Sequence, residues 1–473
     1  MKLLHGPARP LHSRRSNLVA VLRLHDTATD EVRPLELRRP GHVSMYVCGP
    51  TVYDVPHIGH GRAALVYDVL RRYLTWCGLD VRLVSNITDI DDKIIKRANA
   101  EGREAGEVAA EFEHAWYAAI DRLGVLRPTD DPHATAYVEA MVALIEELID
   151  RGAAYETSRG VELSVDRVPG YGLLTNQSLD SLQSGARVEV ETDKHNPLDF
   201  ALWKKAKPDE PAWPSPWGPG RPGWHTECVV MSLDLLGEGF DLHAGGLDLK
   251  FPHHENERAQ AVALGRDFAR HWMHHAFVEV AGEKMGKSLH NFTSLTDLLS
   301  RTDGRAYRLL VLQSHYRSPL EVTPNTVDQA TRSLAGLDNF ARRSVAVPPE
   351  AVPDEATMER FRAAMDDDLD TPGAMAVLFD AVRRANVAFD ADVEAQDAVA
   401  PLVAAVRAMT EAVGLELRAE DEAPDDDTLD LVRRRDEARA SRDWPAADHL
   451  RDALIALGYV VEDTADGTKV RRA

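Results

Sequence analysis

Cysteine is scarce in this chain, and long apolar segments are absent from it. The 473 residues include Cys48, Cys77 and Cys228, which are too few and too scattered for a disulfide framework. This composition fits a reducing compartment, so the sequence predicts a cytoplasmic location. No apolar run approaches the roughly 20 residues of a membrane-spanning helix, so a membrane is not an expected partner.

Positive charge is also in short supply, which limits the classes of partner. The net charge of −22 disfavours non-specific binding to polyanions, although a local arginine-lined surface for nucleic acid is compatible with it. Hydrophobic residues make up 44% of the chain, as in ordinary globular proteins, and the length predicts about three domains. Residues 1–18 lack acidic side chains and a clear apolar core, so we predict a disordered tail there.

The segment Met45–His60 (MYVCGPTVYDVPHIGH) carries the most informative pattern of the N-terminal half. It opens with a short β-forming apolar run, which a glycine and a proline interrupt, and helical apolar spacing begins at Arg62. His57 and His60 therefore lie where a strand has ended and a helix begins, and such helix starts bind anions. Two histidines there can donate to a phosphate. Alone the pattern is weak, because paired surface histidines are the more common explanation.

Strand and helix patterns alternate around this segment. Strand patterns at Val43–Val47 and Asp80–Thr88 flank a helix pattern at Arg62–Trp76, and this βαβ unit predicts a parallel sheet. Residues 152–223 alternate short strands with glycine and proline, as in an insertion, and beyond Ser294 the patterns are helical until a final hairpin. We therefore predict an α/β plus all-α fold: a Rossmann-type parallel-sheet catalytic domain split by an insertion, then a helical bundle and a small C-terminal hairpin region.

Four side chains form a candidate metal site. His253 and Glu257 are four residues apart on one face of a predicted helix, so a single cation could bind both. Cys228 precedes His253 by 25 residues, and Cys48 ends the first strand of the βαβ unit. Two thiolates, an imidazole and a carboxylate suit zinc better than magnesium or calcium. Spacing alone still favours buried free cysteines and a surface His–Glu pair, and His254 competes with His253 as the ligand.

The segment Glu283–Ser288 (EKMGKS) places two lysines around a glycine after a β-like run. Lysines in a flexible loop can close on a triphosphate and stabilise the negative charge that builds up during transfer at the α-phosphate. Two lysines three residues apart are also frequent by chance, so this pattern is weak by itself too.

Together these patterns resemble a known family. HIGH near the N-terminus and KMGKS after the second half of a split α/β domain are similar to the signatures of class I aminoacyl-tRNA synthetases. Within that class the chain resembles the cysteinyl-tRNA synthetase family from Leu22 to Arg472, through the strings MYVCGPTVYD, NITDIDDKIIKRA, RPGWHTEC, FPHHENE, EKMGKSL and AMDDDLDTP. Jointly these strings are highly specific.

The resemblance implies a role for each candidate residue. One zinc ion per chain is the expected cofactor, with the ligands Cys48, Cys228, His253 and Glu257, and Mg²⁺ is expected to accompany ATP. The expected catalytic residues are His57, His60, Lys284 and Lys287. ATP is expected to contact these four residues and also Gly59, Gly246, Asp248 and Ser288. The residues expected to contact the substrate cysteine are Thr51, Trp224 and His243.

Three departures from the family pattern are visible. KMGKS replaces KMSKS, so Gly286 removes a hydroxyl and gives the backbone more freedom. SLHNF replaces SLGNF after the loop, and GGLDL places an apolar residue before Asp248. None of the three removes a charged catalytic group.

The resemblance also implies partners and a domain order. The expected partners are ATP, L-cysteine and the tRNA for cysteine, bound by a monomer whose helical C-terminal part reads the tRNA. The family positions that contact the anticodon are matched by Arg439, Trp444, Asp448 and Asp463, although a tryptophan and an aspartate in a helix are more often structural. The expected divisions are a tail (1–18), the first half of the catalytic domain (19–130), a connective insertion (131–223), the second half (224–300), a stem-contact region (301–345), a helical anticodon-binding bundle (346–425) and a C-terminal anticodon-recognition region (426–473).

The implied reaction attaches cysteine to the 3′ end of its tRNA through a cysteinyl-adenylate, with release of AMP and pyrophosphate and with zinc selecting the thiolate. Two rivals stay open. A related ligase that joins cysteine to an amino-sugar inositol shares the zinc site and both ATP motifs but has no need of an anticodon reader. A catalytically inactive paralogue would only bind RNA or metal. The long helical tail favours tRNA as acceptor, and the intact histidines and lysines favour an active enzyme.

Overall fold

The chain divides into two units, one formed by residues 1–334 and 350–416 and the other by residues 335–349 and 417–473. The computed structural model describes residues 22–177, 193–208, 210–280, 283–284, 293–391, 399–419, 426–457, 459–464 and 467–472. The predicted tail at 1–18 lies outside these residues. Among the described helices, none is both long and apolar enough to cross a membrane.

Strands and helices alternate through the first unit, as the βαβ pattern predicted. The described strands are β1 (Arg23–Asp26), β2 (Glu31–Pro34), β3 (His42–Val47), β4 (Asp80–Ser85), β5 (Ala154–Thr157), β6 (Gly160–Leu163), β7 (Phe200–Lys205), β8 (Gly220–Pro222), β9 (Leu242–Gly246), β10 (Trp272–His275), β11 (Val278–Val280), β12 (Glu283–Lys284), β13 (Leu320–Glu321), β14 (Tyr459–Thr464) and β15 (Gly467–Arg472). The described α-helices are α1 (Ile58–Trp76), α2 (Asp92–Glu101), α3 (Ala105–Arg122), α4 (Val138–Asp150), α5 (Trp224–Leu236), α6 (Glu255–Ala263), α7 (Leu295–Arg301), α8 (Gly304–Leu312), α9 (Pro324–Arg343), α10 (Glu355–Asp366), α11 (Thr371–Phe389), α12 (Val399–Ala412), α13 (Asp426–Ala440) and α14 (Trp444–Ala456).

A four-stranded parallel sheet, in the order β10-β9-β3-β4, forms the centre of the first unit. α1 connects β3 to β4, which confirms the predicted βαβ unit. Met45 and Tyr46 of β3 and Leu242 of β9 are fully buried, because helices cover both faces of a parallel sheet. Val47 pairs with Ala244, so β3 and β9 end at the same edge of the sheet. In open α/β sheets that edge is where ligands bind.

The predicted insertion contains an antiparallel sheet in the order β5-β6-β7-β8. Its buried residues include Leu202 and Trp203, and Trp217 packs against Trp203 with the ring centres 6.1 Å apart. Gly160 has a φ of +151°, and a Cβ there would lie 1.9 Å from the carbonyl oxygen of Trp203. The glycine-rich texture of this segment therefore reflects tight strand pairing.

A third sheet carries the start of the lysine segment. Its order is β12-β11-β13, with β11 antiparallel to β12 and parallel to β13. Glu279 pairs with Lys284, so the backbone of the first lysine lies beside β11. β11 follows β10 of the parallel sheet after two residues, and this short connection links the lysine segment to the ligand-binding edge.

Helices α10, α11 and α12 pack on one another and against α1. The Tyr73 hydroxyl of α1 donates to Asp366 Oδ1 at 2.7 Å. Arg308 of α8 is buried, with Nη1 2.6 Å from Asp68 Oδ2 and 3.2 Å from the carbonyl oxygen of Val413. The three helices, which the resemblance assigned to a bundle at 346–425, therefore cluster with the first unit.

Asp68 is expected to stabilise this packing strongly. The carboxylate is buried and accepts from Arg308, from Arg72 Nε at 2.8 Å and from the main-chain N–H of Leu126 at 2.9 Å. Asp68→Ala leaves the buried Arg308 without its counter-charge and is expected to lower the free energy of unfolding by about 3–5 kcal/mol. Urea unfolding followed by tryptophan fluorescence measures this loss. A change no larger than that of Asp80→Ala, which removes an exposed carboxylate, would contradict the prediction.

The second unit contains α13, α14 and a two-stranded hairpin. The helical pattern at 427–457 is divided at residues 441–443, where Arg442 adopts a φ of +61° and the side chain of Asp443 accepts from the N–H of Ala446. A new helix cap therefore interrupts the pattern. β14 and β15 pair in register from Tyr459–Arg472 to Thr464–Gly467, and this confirms the predicted hairpin.

Candidate functional site

A cavity of about 400 Å³ opens at the carboxyl edge of the parallel sheet. The loop after β3, the first turns of α1, the start of α5 and the end of β9 all contribute to its wall. The predicted site residues in this wall are Cys48, Thr51, His57, Gly59, His60, Trp224, Gly246 and Asp248. The sheet topology thus brings together residues that are up to 200 positions apart in the sequence.

His57 and His60 cap α1 reciprocally. The N–H of His60 donates to His57 Nδ1 at 3.2 Å, and the N–H of His57 donates to His60 Nδ1 at 3.3 Å. The two rings stack with their centres 3.6 Å apart. Because each Nδ1 accepts a hydrogen bond, the proton of each neutral ring is on Nε2. The first turn of α1 therefore fixes two Nε2–H donors at a helix N-terminus, an arrangement suited to an anion.

Gly246 and Asp248 form the opposite wall at the end of β9. A Cβ on Gly246 would lie 2.4 Å from Asp248 Oδ1, so the turn requires glycine. Asp248 is exposed and lines the cavity. This carboxylate can accept hydrogen bonds from hydroxyl groups of a ligand.

The four predicted metal ligands converge at the inner end of this edge. Cys48 Sγ lies 3.8 Å from Cys228 Sγ and 3.6 Å from Glu257 Oε1. His253 Nε2 lies 3.6 Å from Cys228 Sγ and 2.9 Å from Glu257 Oε1. Ligands of a tetrahedral zinc site, with bonds of about 2.0–2.3 Å, are about 3.3–3.8 Å apart. The donor set and most of its spacing therefore fit zinc.

The charges in this cluster suit a cation. Burial raises the pKa of Glu257, but His243 and His253 beside it outweigh burial and hold that pKa well below its usual range. The hydrogen bond from Cys48 lowers the pKa of Cys228 to about 6, whereas burial raises the pKa of Cys48. Burial lowers the pKa of His253, yet the Glu257 carboxylate raises it to about 10. Two acidic donors thus converge on one point.

Two further histidines orient the cluster. His225 Nδ1 lies 3.0 Å from His253 Nδ1, and burial lowers the pKa of His225, so its neutral ring can accept the proton of His253. This contact leaves Nε2 of His253 facing the thiols. His243 Nε2 lies 2.6 Å from Glu257 Oε2, which directs Oε1 into the cluster. Such outer contacts fix the tautomer and orientation of metal ligands.

His254 offers a second grouping. Its Nε2 lies 3.3 Å from Cys48 Sγ, and its Nδ1 lies 2.8 Å from His274 Nε2. Donor atoms of Cys48, His243, His254 and Glu257 also lie within 4.8 Å of one another. The two groupings share Cys48 and Glu257. They differ in their histidines and in whether the second thiol takes part.

Not every predicted residue reaches the cavity. Thr51 and Trp224 line it, and the Trp224 ring stacks on His253 with the centres 4.0 Å apart. His243, expected in the cysteine pocket, is instead fully buried behind Glu257 and stacked on Trp272. Its ring is the second neighbour of the pocket, because the β9 register points it into the core. Lys287 and Ser288 lie outside the described residues.

The sequence analysis missed two residues that support the site. Trp116 of α3 lines the cavity and meets His60 edge to face, with ring centres 6.1 Å apart. Arg62 of α1 is buried beneath the cavity wall. Neither belongs to a motif that the sequence analysis used. The unusual position of a charged Arg62 within an apolar helical pattern was the available signal.

The four predicted anticodon residues lie in the second unit. Arg439 Nη1 forms an ion pair with Asp463 Oδ1, and Arg435 Nη1 lies 2.8 Å from the same oxygen. Hydrogen bonds from both arginines hold the pKa of Asp463 well below its usual range. Trp444 is 56% exposed at the start of α14, and Asp448 is exposed on the same helix. The tryptophan ring is thus accessible for stacking.

Comparison with known families places this architecture. Residues 34–332 match the family described as tRNA synthetases class I (C) catalytic domain, and residues 360–418 match the DALR domain. Residues 423–471 match the cysteinyl-tRNA ligase anticodon binding domain. The cysteine–tRNA ligase of Alkalilimnicola ehrlichii is 47% identical over 462 residues, which cover 96% of this chain and 100% of the relative. The chain belongs to the cysteine–tRNA ligase family. Relatives from Halorhodospira halophila (46% identity, 96% of this chain and 100% of the relative) and Thermus thermophilus (43%, 95% and 98%) carry the same name.

Solved structures confirm the fold expected of this ligase family. Mycobacterium tuberculosis methionyl-tRNA synthetase in complex with methionyl-adenylate gives a TM-score of 0.56 at 18% identity, covering 79% of this chain and 90% of that chain. A second structure of that synthetase, bound by methionyl-adenylate, gives 0.58 at 16% identity with the same coverage. The predicted class I catalytic fold with helical C-terminal parts is therefore confirmed.

Proposed function

We propose that the chain attaches L-cysteine to the 3′ end of the tRNA for cysteine, using ATP and releasing AMP and pyrophosphate. The observation that carries this proposal is the adjacency of two chemistries in one cavity. Cys48 begins the loop whose far end carries His57 and His60, and all three residues line the same wall. A thiol-selective cluster and an anion-binding helix start therefore flank the space where a carboxylate would meet an α-phosphate. Membership of the cysteine–tRNA ligase family supports the same reaction.

In the first step the cysteine carboxylate attacks the α-phosphorus of ATP, with Mg²⁺ bound to the phosphates, and pyrophosphate leaves. No protein nucleophile is required, so the side chains act by positioning and electrostatics. Nε2–H of His57 and His60 would donate to phosphate oxygens, and Asp248 beside Gly246 would accept from a ribose hydroxyl. Lys284 and Lys287 would add positive charge, with Ser288 as a further phosphate contact.

Cys48, Cys228, His253 and Glu257 are the residues that would hold a zinc ion. We favour this grouping over that with His254, because it uses both thiols and the Glu257 oxygen that His243 leaves unbound. A zinc ion there would bind a thiolate much more strongly than an alcohol. Shape alone would separate cysteine from serine by only about 1–3 kcal/mol. Thr51 and Trp224 would contact the rest of the substrate. With this selectivity the chain needs no editing domain.

The decisive experiment measures cysteine-dependent exchange of pyrophosphate into ATP. Exchange with cysteine and none with serine is the expected result, and an absence of exchange would favour an inactive paralogue. A second assay then offers tRNA or glucosaminyl-inositol as the acceptor. Transfer to tRNA is expected, since residues 423–471 match an anticodon-binding domain. Transfer to the amino-sugar instead would overturn the proposed acceptor.

For the second unit, we propose that Trp444 stacks on an anticodon base and that Arg439, Asp448 and Asp463 contact its neighbours. Trp444→Ala is expected to lower kcat/KM for tRNA by about 10- to 100-fold, since stacking on a base contributes about 1–3 kcal/mol. Pyrophosphate exchange without tRNA should not change. Ile455→Ala is the matched control, because Ile455 is 51% exposed on the same helix. Equal effects of the two variants on tRNA charging would contradict the stacking role.

Two expectations from the sequence complete the proposal. A cytoplasmic location follows from the three scattered cysteines, and a monomer follows from the resemblance. Light scattering of the purified chain measures the oligomeric state, and a dimer mass would overturn the second expectation.

A further inference from the structure

Arg62 is a buried cation in the second turn of α1. Its side chain is 1% exposed, and its described acceptors are all main-chain carbonyl oxygens. Nη1 lies 2.8 Å from the oxygen of Ala276 and 2.6 Å from that of Phe277. Nη2 lies within 3.3 Å of three further carbonyl oxygens, those of His315, Tyr316 and Ser318. Burial lowers the pKa of Arg62 to about 10, so the guanidinium is charged at neutral pH.

The five carbonyl groups belong to the roots of two strands. Ala276 and Phe277 form the connection from β10 to β11 and line the cavity. Residues 315–318 lead into β13, which pairs with β11. β11 in turn pairs with β12, where Glu279 lies opposite Lys284. Arg62 therefore holds the base of the sheet that carries the first lysine of the EKMGKS segment.

The chain beyond the lysine segment is also bound to the start of α1. Ser294 forms a β-bridge with His57, and the N–H of Ile58 donates to the carbonyl oxygen of Thr293 at 3.2 Å. The N–H of Leu295 donates to the carbonyl oxygen of Pro56 at 2.8 Å. The backbone on both sides of the segment is thus fixed to the helix start that carries His57 and His60.

We propose that Arg62 is a positioning residue for ATP, which sets the lysine-bearing sheet against the histidines of α1. The inference rests on the proposed function, in which both motifs contact one triphosphate. A guanidinium is needed because it presents several donors in a rigid plane, whereas a lysine ammonium has three donors on one atom. A single ammonium cannot bind three separate backbone segments in the same way.

The test compares Arg62→Lys with Arg308→Lys. Arg308 is also 1% exposed and also binds main-chain carbonyls, but its partners are Asp68 and helix ends away from the lysine-bearing sheet. Both variants are expected to lower the thermal midpoint. Arg62→Lys alone is expected to lower kcat for pyrophosphate exchange, on the order of 100-fold, because small misplacements at a reacting centre have effects of that size. KM for cysteine and zinc content should not change.

Two additional measurements keep the result interpretable. Arg62→Ala is expected to regain exchange activity when guanidinium ion is added, while Arg308→Ala is not. Stabilisation by Mg·ATP, measured as a thermal shift, should be smaller in Arg62→Lys than in the wild type and unchanged in Arg308→Lys. The thermal shift decides the inference even if the wild type shows no exchange, in which case the proposed function itself fails. Equal exchange rates and equal ATP shifts for the two lysine variants would overturn the role of Arg62.

Discussion

Replacing Cys228 with serine is expected to release bound zinc and to remove most of the selectivity for cysteine over serine. Cys228 is buried, and its Sγ faces both Cys48 Sγ and His253 Nε2. Its thiol pKa of about 6 makes it the more acidic of the two cysteines in the cluster. A serine hydroxyl is a hard, neutral donor at the same position, and zinc binds it far more weakly than a thiolate.

The expected loss follows from what the cluster does for the substrate. Residues that only orient zinc ligands already contribute about 10- to 100-fold to metal affinity or activity, so loss of a ligand should lower kcat/KM for cysteine activation by more than about 100-fold. Discrimination against serine should fall to the level of shape alone, about 10- to 200-fold. KM for ATP should change little, because His57 and His60 have no described contact with Cys228.

Metal content by mass spectrometry and exchange assays with cysteine and with serine measure these effects. Cys77→Ser is the matched control, because it makes the same substitution at an exposed cysteine that caps the far end of α1. His253→Gln tests the same cluster if serine at position 228 prevents folding. In the cobalt-substituted wild type, cysteine but not serine should change the visible spectrum. Full zinc content with an unchanged KM for cysteine would contradict the assigned ligands.

The sequence predicted the fold and the metal cluster well because both depend on local patterns. Apolar spacing around Met45–His60 is sufficient for a βαβ unit, and the i, i+4 spacing places His253 and Glu257 on one helical face. The parallel sheet then determines which loops meet, since Cys48 and the β9 end share one edge. What the pattern could not decide was the competition between His253 and His254, because adjacent residues differ only in direction.

Other features depend on contacts that no local pattern encodes. His243 was expected in the cysteine pocket, yet the strand alternation of β9 points it into the core behind Glu257. Arg62 stands in an apolar helical period, and its acceptors are backbone carbonyls more than 200 residues away. The start of α1 was placed at Arg62, but His57 caps it four residues earlier, since histidine is not among the usual cap residues.

That reciprocal cap leads to the second large expected effect: His57→Asn should preserve the helix and abolish most of the activation chemistry. Asparagine is a strong N-cap, so its side-chain oxygen can replace Nδ1 of His57 as the acceptor for the N–H of His60. It cannot replace the Nε2–H donor or the ring that stacks on His60 at 3.6 Å. We expect a change in the free energy of unfolding below about 0.5 kcal/mol, within the range of neutral caps.

Pyrophosphate exchange should fall much further. Removing one preorganised donor to a developing negative charge lowers kcat by about 10²- to 10³-fold. Exchange at saturating cysteine measures this loss, while thermal unfolding shows whether the cap is retained. His57→Ala is the companion variant, expected to lose the same activity and also about 1 kcal/mol of helix stability. A normal exchange rate in His57→Asn would remove His57 from the ATP site.

The double variant His57→Asn with His60→Asn distinguishes two independent donors from one unit. Each ring holds the other through an N–H···Nδ1 bond and a shared stacking face, so loss of one ring should misplace the Nε2–H of the other. Residues that act as a unit show strongly non-additive losses. We therefore expect the double variant to be scarcely slower than the slower single variant. If instead the two losses multiply, each histidine acts alone, and the reciprocal cap serves only to start α1.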